Sequence, residues 1–215
     1  MSDSMSQQSK TDPMIIRSLE FIGPMATRDG WRPPAELREI AFAGRSNVGK
    51  SSLLNRLLRR KAFARVSNTP GRTREINFFK VNNTFVLADL PGYGYARISK
   101  ERKAEWQPLI EGYLADSPMV WGVVLLLDIR HDPTDDDRTM LDFLADLGVP
   151  TIIAVTKVDK LKKTEVSALI GELAESAGLD PEQIVPFSSK TGEGRDELAQ
   201  ALEVLLAMDD WRSEE

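Results

Sequence analysis

The string Gly44-Arg-Ser-Asn-Val-Gly49-Lys50-Ser51 constrains this chain more than any other feature. It fits the pattern G-x-x-x-x-G-K-S/T and lies between two segments of opposite periodicity. Residues 37–43 alternate as a strand does. Residues 51–60 place Leu53, Leu54, Leu57 and Leu58 on one helical face. In a strand–turn–helix of this kind, successive backbone N–H groups and the helix N-terminus face an anion. Glycine lacks a Cβ and reaches positive φ, so the backbone can wrap closely round phosphates. Lys50 is placed to reach β- and γ-phosphates, and Ser51 to put its hydroxyl on Mg²⁺. Arg45, Ser46, Asn47 and Val48 complete the loop. A chain built round this element is expected to be α/β.

The rest of the chain keeps that alternation. Strands are expected over 76–81, 84–88, 120–127, 151–155 and 184–187, and helices over 100–114, 134–147, 163–177 and 195–208. Asn82-Asn83 tolerates the positive φ of a tight hairpin. The expected fold has three layers: a mostly parallel sheet of about six strands with one antiparallel hairpin pair, and helices on both faces. One domain is expected over 37–208, with an extension over 15–36 packed on it. The expected tails are a disordered one over 1–14 and a short one over 209–215.

Composition removes several kinds of chemistry. There is no cysteine among the 215 residues and one histidine, His131. Disulfides, thiol nucleophiles, Cys-ligated zinc and multi-His metal sites are therefore excluded. The longest uncharged apolar run, 119–127, is far short of the roughly 20 residues that span a bilayer. Residues 1–11 are polar with no apolar h-region, so no signal or transit peptide is expected and the location is expected to be cytoplasmic. The net charge of −5 hides a segregation. Residues 38–110 carry fifteen Lys/Arg and five Asp/Glu, whereas 111–215 carry nine and twenty-three.

Three further strings end predicted strands. Thr156-Lys157-Val158-Asp159 resembles the N/T-K-x-D motif of GTP-binding proteins. In those proteins the Asp accepts from guanine N1–H and the 2-amino group while the Lys stem packs over the base. Phe187-Ser188-Ser189-Lys190 falls where their S-A-K loop lies, in which a backbone N–H meets guanine O6. Asp89-Leu90-Pro91-Gly92 matches D-x-x-G, whose Asp holds Mg²⁺ through water and whose Gly N–H meets the γ-phosphate.

With Thr69-Pro-Gly71-Arg72-Thr73-Arg74-Glu75-Ile-Asn-Phe-Phe79, Asp89-Leu-Pro-Gly-Tyr-Gly-Tyr-Ala96 and Trp106 added, the chain resembles the EngB (YihA/YsxC) branch of the translation-factor-related GTPases over roughly residues 15–208. The resemblance implies GTP and GDP binding with Mg²⁺, and a role in late assembly of the large ribosomal subunit linked to division and septation. It also implies that Thr73 completes the Mg²⁺ shell and that Gly71–Glu75 form the first switch. Lys50, Thr73 and Gly92 would then touch the transition state.

Tyr93 stands where many GTPases place a glutamine that orients the attacking water. A phenol cannot replace that amide, so slow intrinsic hydrolysis is expected. His131 reads as a solvated surface residue. Asn47 has two readings: a ligand for K⁺ beside the phosphates, as the loop of potassium-activated GTPases implies, or a residue chosen for loop geometry. Arg56, Arg59, Arg60, Lys61, Arg65, Arg72, Arg74, Arg97, Lys100, Arg102 and Lys103 crowd round the switches and read as a surface for ribosomal RNA. A monomer docking on ribosomal particles is expected. The rival is a division regulator working through protein partners, with Phe78, Phe79, Tyr93 and Tyr95 as its contacts. An ATP-dependent kinase fails on Thr156–Asp159.

Overall fold

The structure is a computed structural model that describes residues 12–60, 75–94 and 100–213, with the backbone alone for 100–107 and 213. The strands are β1 (Leu19–Met25), β2 (Glu39–Gly44), β3 (Ile76–Val81), β4 (Phe85–Asp89), β5 (Val120–Asp128), β6 (Thr151–Thr156) and β7 (Ile184–Phe187). The helices are α1 (Lys50–Leu57), α2 (Lys100–Asp116), α3 (Asp135–Leu147), α4 (Lys163–Ala177) and α5 (Arg195–Ala207). All seven strands lie in one sheet, in the order β1-β3-β4-β2-β5-β6-β7. β2 pairs in parallel with β4 and β5, and the parallel ladder continues through β6 to β7. β3 is antiparallel to both β1 and β4.

Strand alternation sorts the apolar residues into two layers. Ala41, Ala43, Val123 and Leu125 meet α2, α3 and α4 through Ile110, Tyr113, Met140, Leu144 and Ala174. Ile40, Phe42, Val124 and Leu126 meet α1 and α5 through Leu53, Leu57, Leu198 and Leu202. β5 is buried on both faces, which is why its sequence is a continuous apolar run.

The Asn82–Asn83 hairpin turns as its residues predict, with φ of 51° and 55°. Asn82 does more than turn the chain. Its Oδ1 accepts from the N–H groups of Arg17 (2.7 Å) and Ser18 (3.1 Å), and its Nδ2 donates to the Ile15 carbonyl at 2.7 Å. That seats the entry to β1.

β1 is the strand the periodicity does not reveal, and it raises the sheet from about six strands to seven and adds a second antiparallel pairing. Gly23 and Pro24 interrupt its pattern, and its register slips between Phe21 and Gly23. A Cβ at Gly23 would stand 2.7 Å from the Trp31 ring. The tails are also shorter than expected. Asp12 pairs with the buried Arg195, whose Nη2 takes the Met14 carbonyl at 2.7 Å. Trp211 Nε1 donates to the Val120 carbonyl (3.0 Å), and Arg212 donates to those of Ser117 and Val120 (2.8 Å each).

Glu39 opens β2 at the end of the sheet away from the phosphate loop and is 2% exposed. Burial pushes its carboxyl up to about 7, against the hydrogen bonds from Tyr113 (2.8 Å) and Ser117 (3.4 Å) and the charge of Arg32. The folded protein therefore holds this proton more tightly than the unfolded chain. Stability falls as pH rises from about 4.5 to about 7, by up to about 3 kcal/mol. Glu39→Gln should flatten that part of the stability–pH curve in urea melts. A slope identical to wild type would mean that Glu39 is ionised in the fold.

Candidate functional site

Of the expected site residues that the structure describes, all but Glu75 gather at the carboxyl ends of β2, β4, β6 and β7, the edge where parallel α/β sheets bind ligands. Gly44 ends β2, and α1 starts six residues later at Lys50. Between them Asn47 (φ 68°) and Gly49 (φ 108°) bend the backbone through the left-handed region. This geometry accounts for an asparagine at position 47, which is the loop-geometry reading. Lys50 Nζ pairs with Asp89 Oδ1 at the end of β4, and both side chains are largely buried. The phosphate-loop lysine and the aspartate of D-x-x-G are thus brought together.

The phosphate loop is held from two sides. On one side it is laced to the 89–93 segment. Ser46 N–H donates to the Tyr93 carbonyl (2.8 Å), Ser46 Oγ to the Gly92 carbonyl (3.2 Å), and Leu90 N–H to the Phe42 carbonyl (3.1 Å). A Cβ at Gly92 would lie 3.0 Å from Ser46 Oγ. Arg45 bridges Tyr93 through the backbone, and its Nε is buried against Gly94. On the other side the end of β6 reaches under the loop. Thr156 Oγ1 contacts the carbonyls of Val48 (2.7 Å) and Leu127 (3.1 Å). Lys157 Nζ donates to the Asn47 carbonyl (2.7 Å) and pairs with Asp128 (2.8 Å). Burial would raise the Asp128 carboxyl, but Arg130 and Lys157 more than reverse this and hold it well below the usual range. Asp128 was not among the expected site residues. Its signal in the sequence is being the first charge at the end of the buried run.

At the β6–β7 side, Ser188 Oγ donates to Asp159 Oδ1 at 2.7 Å and lowers the pKa of that carboxyl. Asp159 Oδ2 is buried with no hydrogen bond; the Lys160 ammonium stands 3.5 Å from it. Ser188 fixes the carboxylate and, with Lys160, favours its ionised form, the form that can accept from an N–H pair on a base edge.

Some expected residues contribute backbone alone. Val48, Leu90, Val158 and Phe187 are buried in the two core layers. Pro91 is buried and Glu75 half-buried. Gly71, Arg72, Thr73 and Arg74 lie outside the described residues, as do Lys61, Arg65, Tyr95 and Arg97. Two expectations about surfaces need correction. Arg56 was read as part of a nucleic-acid face, but its guanidinium is committed to the carbonyls of Ser189 and Lys190. Arg59 pairs with Asp12 at 3.0 Å, but its side chain stays 60% exposed, so the pairing does not take it from the surface. Phe78, Phe79 and Tyr93, read as contacts for a protein partner, are at most 4% exposed because β3 and the 89–93 segment run through the core. His131 is exposed, as expected.

The donor set fits Mg²⁺. Asp89 and Ser51 offer hard oxygens beside the phosphate-loop lysine, and no group of three His, Cys, Asp or Glu is gathered among the described residues. Mg²⁺ takes one or two carboxylates together with substrate phosphates and water, so a sparse protein shell is what it needs.

Tyr93 is 1% exposed, and its hydroxyl donates to Asp137 Oδ1 at 3.0 Å. Burial, then the charge of Asp137, pushes the phenol far above its ordinary pKa. Asp137 also closes the capping box of α3 with Thr134. Tyr93 is therefore a tie between the 89–93 segment and α3. Tyr93→Phe should cost about 1–3 kcal/mol in denaturant unfolding, because a buried carboxylate loses a donor, while GTP turnover stays within about threefold. A turnover loss of a hundredfold with unchanged stability would give the phenol a chemical role.

Comparison with known proteins agrees with this geometry. Residues 39–157 match the family described as 50S ribosome-binding GTPase, and residues 116–208 match the elongation factor Tu GTP binding domain. The chain is 71% identical over 202 residues to a probable GTP-binding protein EngB of Gemmatimonas aurantiaca, covering 94% of this chain and 99% of that one. It is 46% identical over 202 residues to a probable GTP-binding protein EngB of Geobacter metallireducens, covering 94% and 98%. A crystal structure of a probable GTP-binding protein engB superposes with a TM-score of 0.66 at 29% identity, over 78% of this chain and 98% of that one. The structure of Era in complex with MgGDPNP and nucleotides 1506–1542 of 16S ribosomal RNA superposes with a TM-score of 0.62 at 25% identity, over 80% and 58%. The strand–loop–helix at Gly44–Ser51, the loops converging on it and these likenesses agree: the chain belongs to the EngB family of P-loop GTPases.

Proposed function

We propose that this GTPase is a nucleotide-dependent switch in the assembly of the large ribosomal subunit, on which normal division and septation depend. The observation that carries the reading is the meeting of the phosphate loop, Asp89–Gly92, Thr156–Asp159 and Ser188–Ser189 at one sheet edge, in a family described as 50S ribosome-binding. A likeness to Era, solved with ribosomal RNA, supports the same class of partner.

On this reading the N–H groups of Asn47 and of residues 49–51 cradle the α- and β-phosphates, and Lys50 exchanges Asp89 for β- and γ-phosphate oxygens. Ser51, Thr73 and, through water, Asp89 would hold Mg²⁺, which would supply charge neutralisation at the phosphates. Gly92 N–H and Thr73 contact the γ-phosphate, and its loss releases both switch segments. With Tyr93 turned into the core, no side chain follows D-x-x-G to orient water, so intrinsic hydrolysis is slow. Asn47 is where a potassium ion would act, read as faster turnover in K⁺ than in Na⁺ at equal ionic strength; equal rates remove the ion. The protein works as a cytoplasmic monomer, and no helix among the described residues is long and apolar enough to cross a membrane.

Guanine selection rests on Asp159. Asp159→Asn should lose GTP binding by about 3 kcal/mol or more and gain xanthosine nucleotide binding, since the amide donates where the carboxylate accepted. GTP affinity equal to wild type, measured by calorimetry, would remove Asp159 from the base.

The ribosomal arm of the reading is tested by pelleting the protein with purified large subunits across a salt series, with GDP and with a non-hydrolysable GTP analogue. Binding should favour the GTP state and fall steeply with salt, because neutralised phosphates release counterions. Replacing Arg60, Lys61 and Arg65 together by Ala should weaken it and flatten the slope, with GTP affinity within a few-fold. Salt-independent binding, or a triple variant equal to wild type, would return the basic segment to the role of a solvated face. The protein-partner alternative loses Phe78, Phe79 and Tyr93 to the core.

A further inference from the structure

What Arg56 does at the site rests on the reading of Ser188–Lys190 as the base loop. Arg56 lies in the last turn of α1, the helix that starts at the phosphate loop. Its Nε donates to the Ser189 carbonyl at 2.9 Å and its Nη2 to the Lys190 carbonyl at 2.8 Å. Successive carbonyls are thus taken by two donors of one rigid planar fork, a geometry that lysine cannot reproduce.

The neighbouring peptides are fixed as well. The Ser188 carbonyl accepts from Gly192 N–H at 2.8 Å, and Ser188 Oγ accepts from Thr191 N–H at 3.1 Å while donating to Asp159. Each carbonyl from 188 to 190 therefore has a partner. Because a peptide is planar, a fixed carbonyl also fixes the N–H on its other side. The N–H groups of Ser189 and Lys190 have no hydrogen bond among the described residues. They lie on the two peptides whose carbonyls are held by Gly192 and by Arg56.

We propose that Arg56 is a positioning residue for base recognition. By clamping the Ser189 carbonyl it fixes the peptide that carries the Lys190 N–H, next to the Ser189 N–H set by Gly192, and so aims the loop at the oxygen on position 6 of guanine and sets selectivity for an acceptor there. It works through the loop backbone and touches neither base nor phosphate. It also ties the helix that begins at the phosphates to the loop that reads the base.

The probes are GDP and 6-thioguanosine diphosphate. The thio analogue keeps N1–H and the 2-amino group and replaces only the position-6 oxygen by a weaker, larger acceptor. Affinities are measured by calorimetry on the full chain, with thermal melts alongside. Wild type should prefer GDP by about tenfold, as for one good hydrogen bond. In Arg56→Ala and in Arg56→Lys the preference should fall to about twofold, through weaker GDP binding, with the thio analogue little changed. Arg56→Lys keeps the charge at the end of α1, so it tests the fork if the alanine variant folds poorly.

A preference retained in a folded variant overturns the proposal. An equal loss for both nucleotides also overturns it, because that is the mark of a structural or phosphate effect. Failure of the underlying reading looks different: wild type would bind both nucleotides alike, and Asp159→Asn would leave GDP affinity unchanged.

Discussion

The phosphate loop has to present N–H groups to an anion, so beyond those of Ser46 and Val48, which take protein carbonyls, its N–H groups are not used to hold the loop in shape. The rest of the site follows from that conflict. The loop is braced through its carbonyls and side chains. Thr156 and Lys157 take the carbonyls of Val48 and Asn47 from the end of β6, and Ser46 is laced to Gly92 and Tyr93 from the end of β4. Lys157 in turn needs Asp128 at the end of β5. Three neighbouring strand ends therefore support one turn of chain, which is possible only because β4, β5 and β6 all run parallel to β2.

The same bracing explains how the two halves of the site come to act together. The 89–93 segment is bonded to the phosphate loop through the Gly92 and Tyr93 carbonyls and to α3 through the Tyr93 hydroxyl and Asp137. The base loop is bonded to Asp159 through Ser188 and to α1 through Arg56. α1 is itself fixed at its far end, where the Leu57 carbonyl accepts from the buried Arg195, whose other donors take Asp12 and the Met14 carbonyl. A change at the phosphates is thus mechanically close to α3 on one side and to the base loop on the other.

Charge segregation reads differently once the fold is known. The excess of cations in residues 38–110 is real, but several of them already have partners within the protein. Lys50 meets Asp89, Arg56 the base loop, Arg59 meets Asp12, Lys80 meets Glu20 at 3.1 Å, and Arg38 stacks on Trp121 with 4.2 Å to the ring centroid. A count of charges along a chain cannot separate those that face solvent from those that close a loop, because the partners are distant in sequence.

The motifs and the periodicity carried most of the architecture. Lys163–Ala177 and Ile184–Phe187 fall where the pattern puts them, since a helical stripe and a buried apolar run are local properties. The phosphate loop, D-x-x-G, Thr156–Asp159 and the Asn82–Asn83 turn are local as well, because backbone conformation and side-chain chemistry are written within a few residues. β1 was hidden by Gly23 and Pro24, which suit a bulged edge strand but break its alternation. The pairings Arg56–Ser189, Arg195–Asp12, Tyr93–Asp137 and Lys157–Asp128 span 29 to 183 residues of chain. Local residue patterns settle which chemical groups reach the sheet edge. Which of them face a ligand and which hold the others in place is fixed by strand order and burial, and these join residues far apart in the chain.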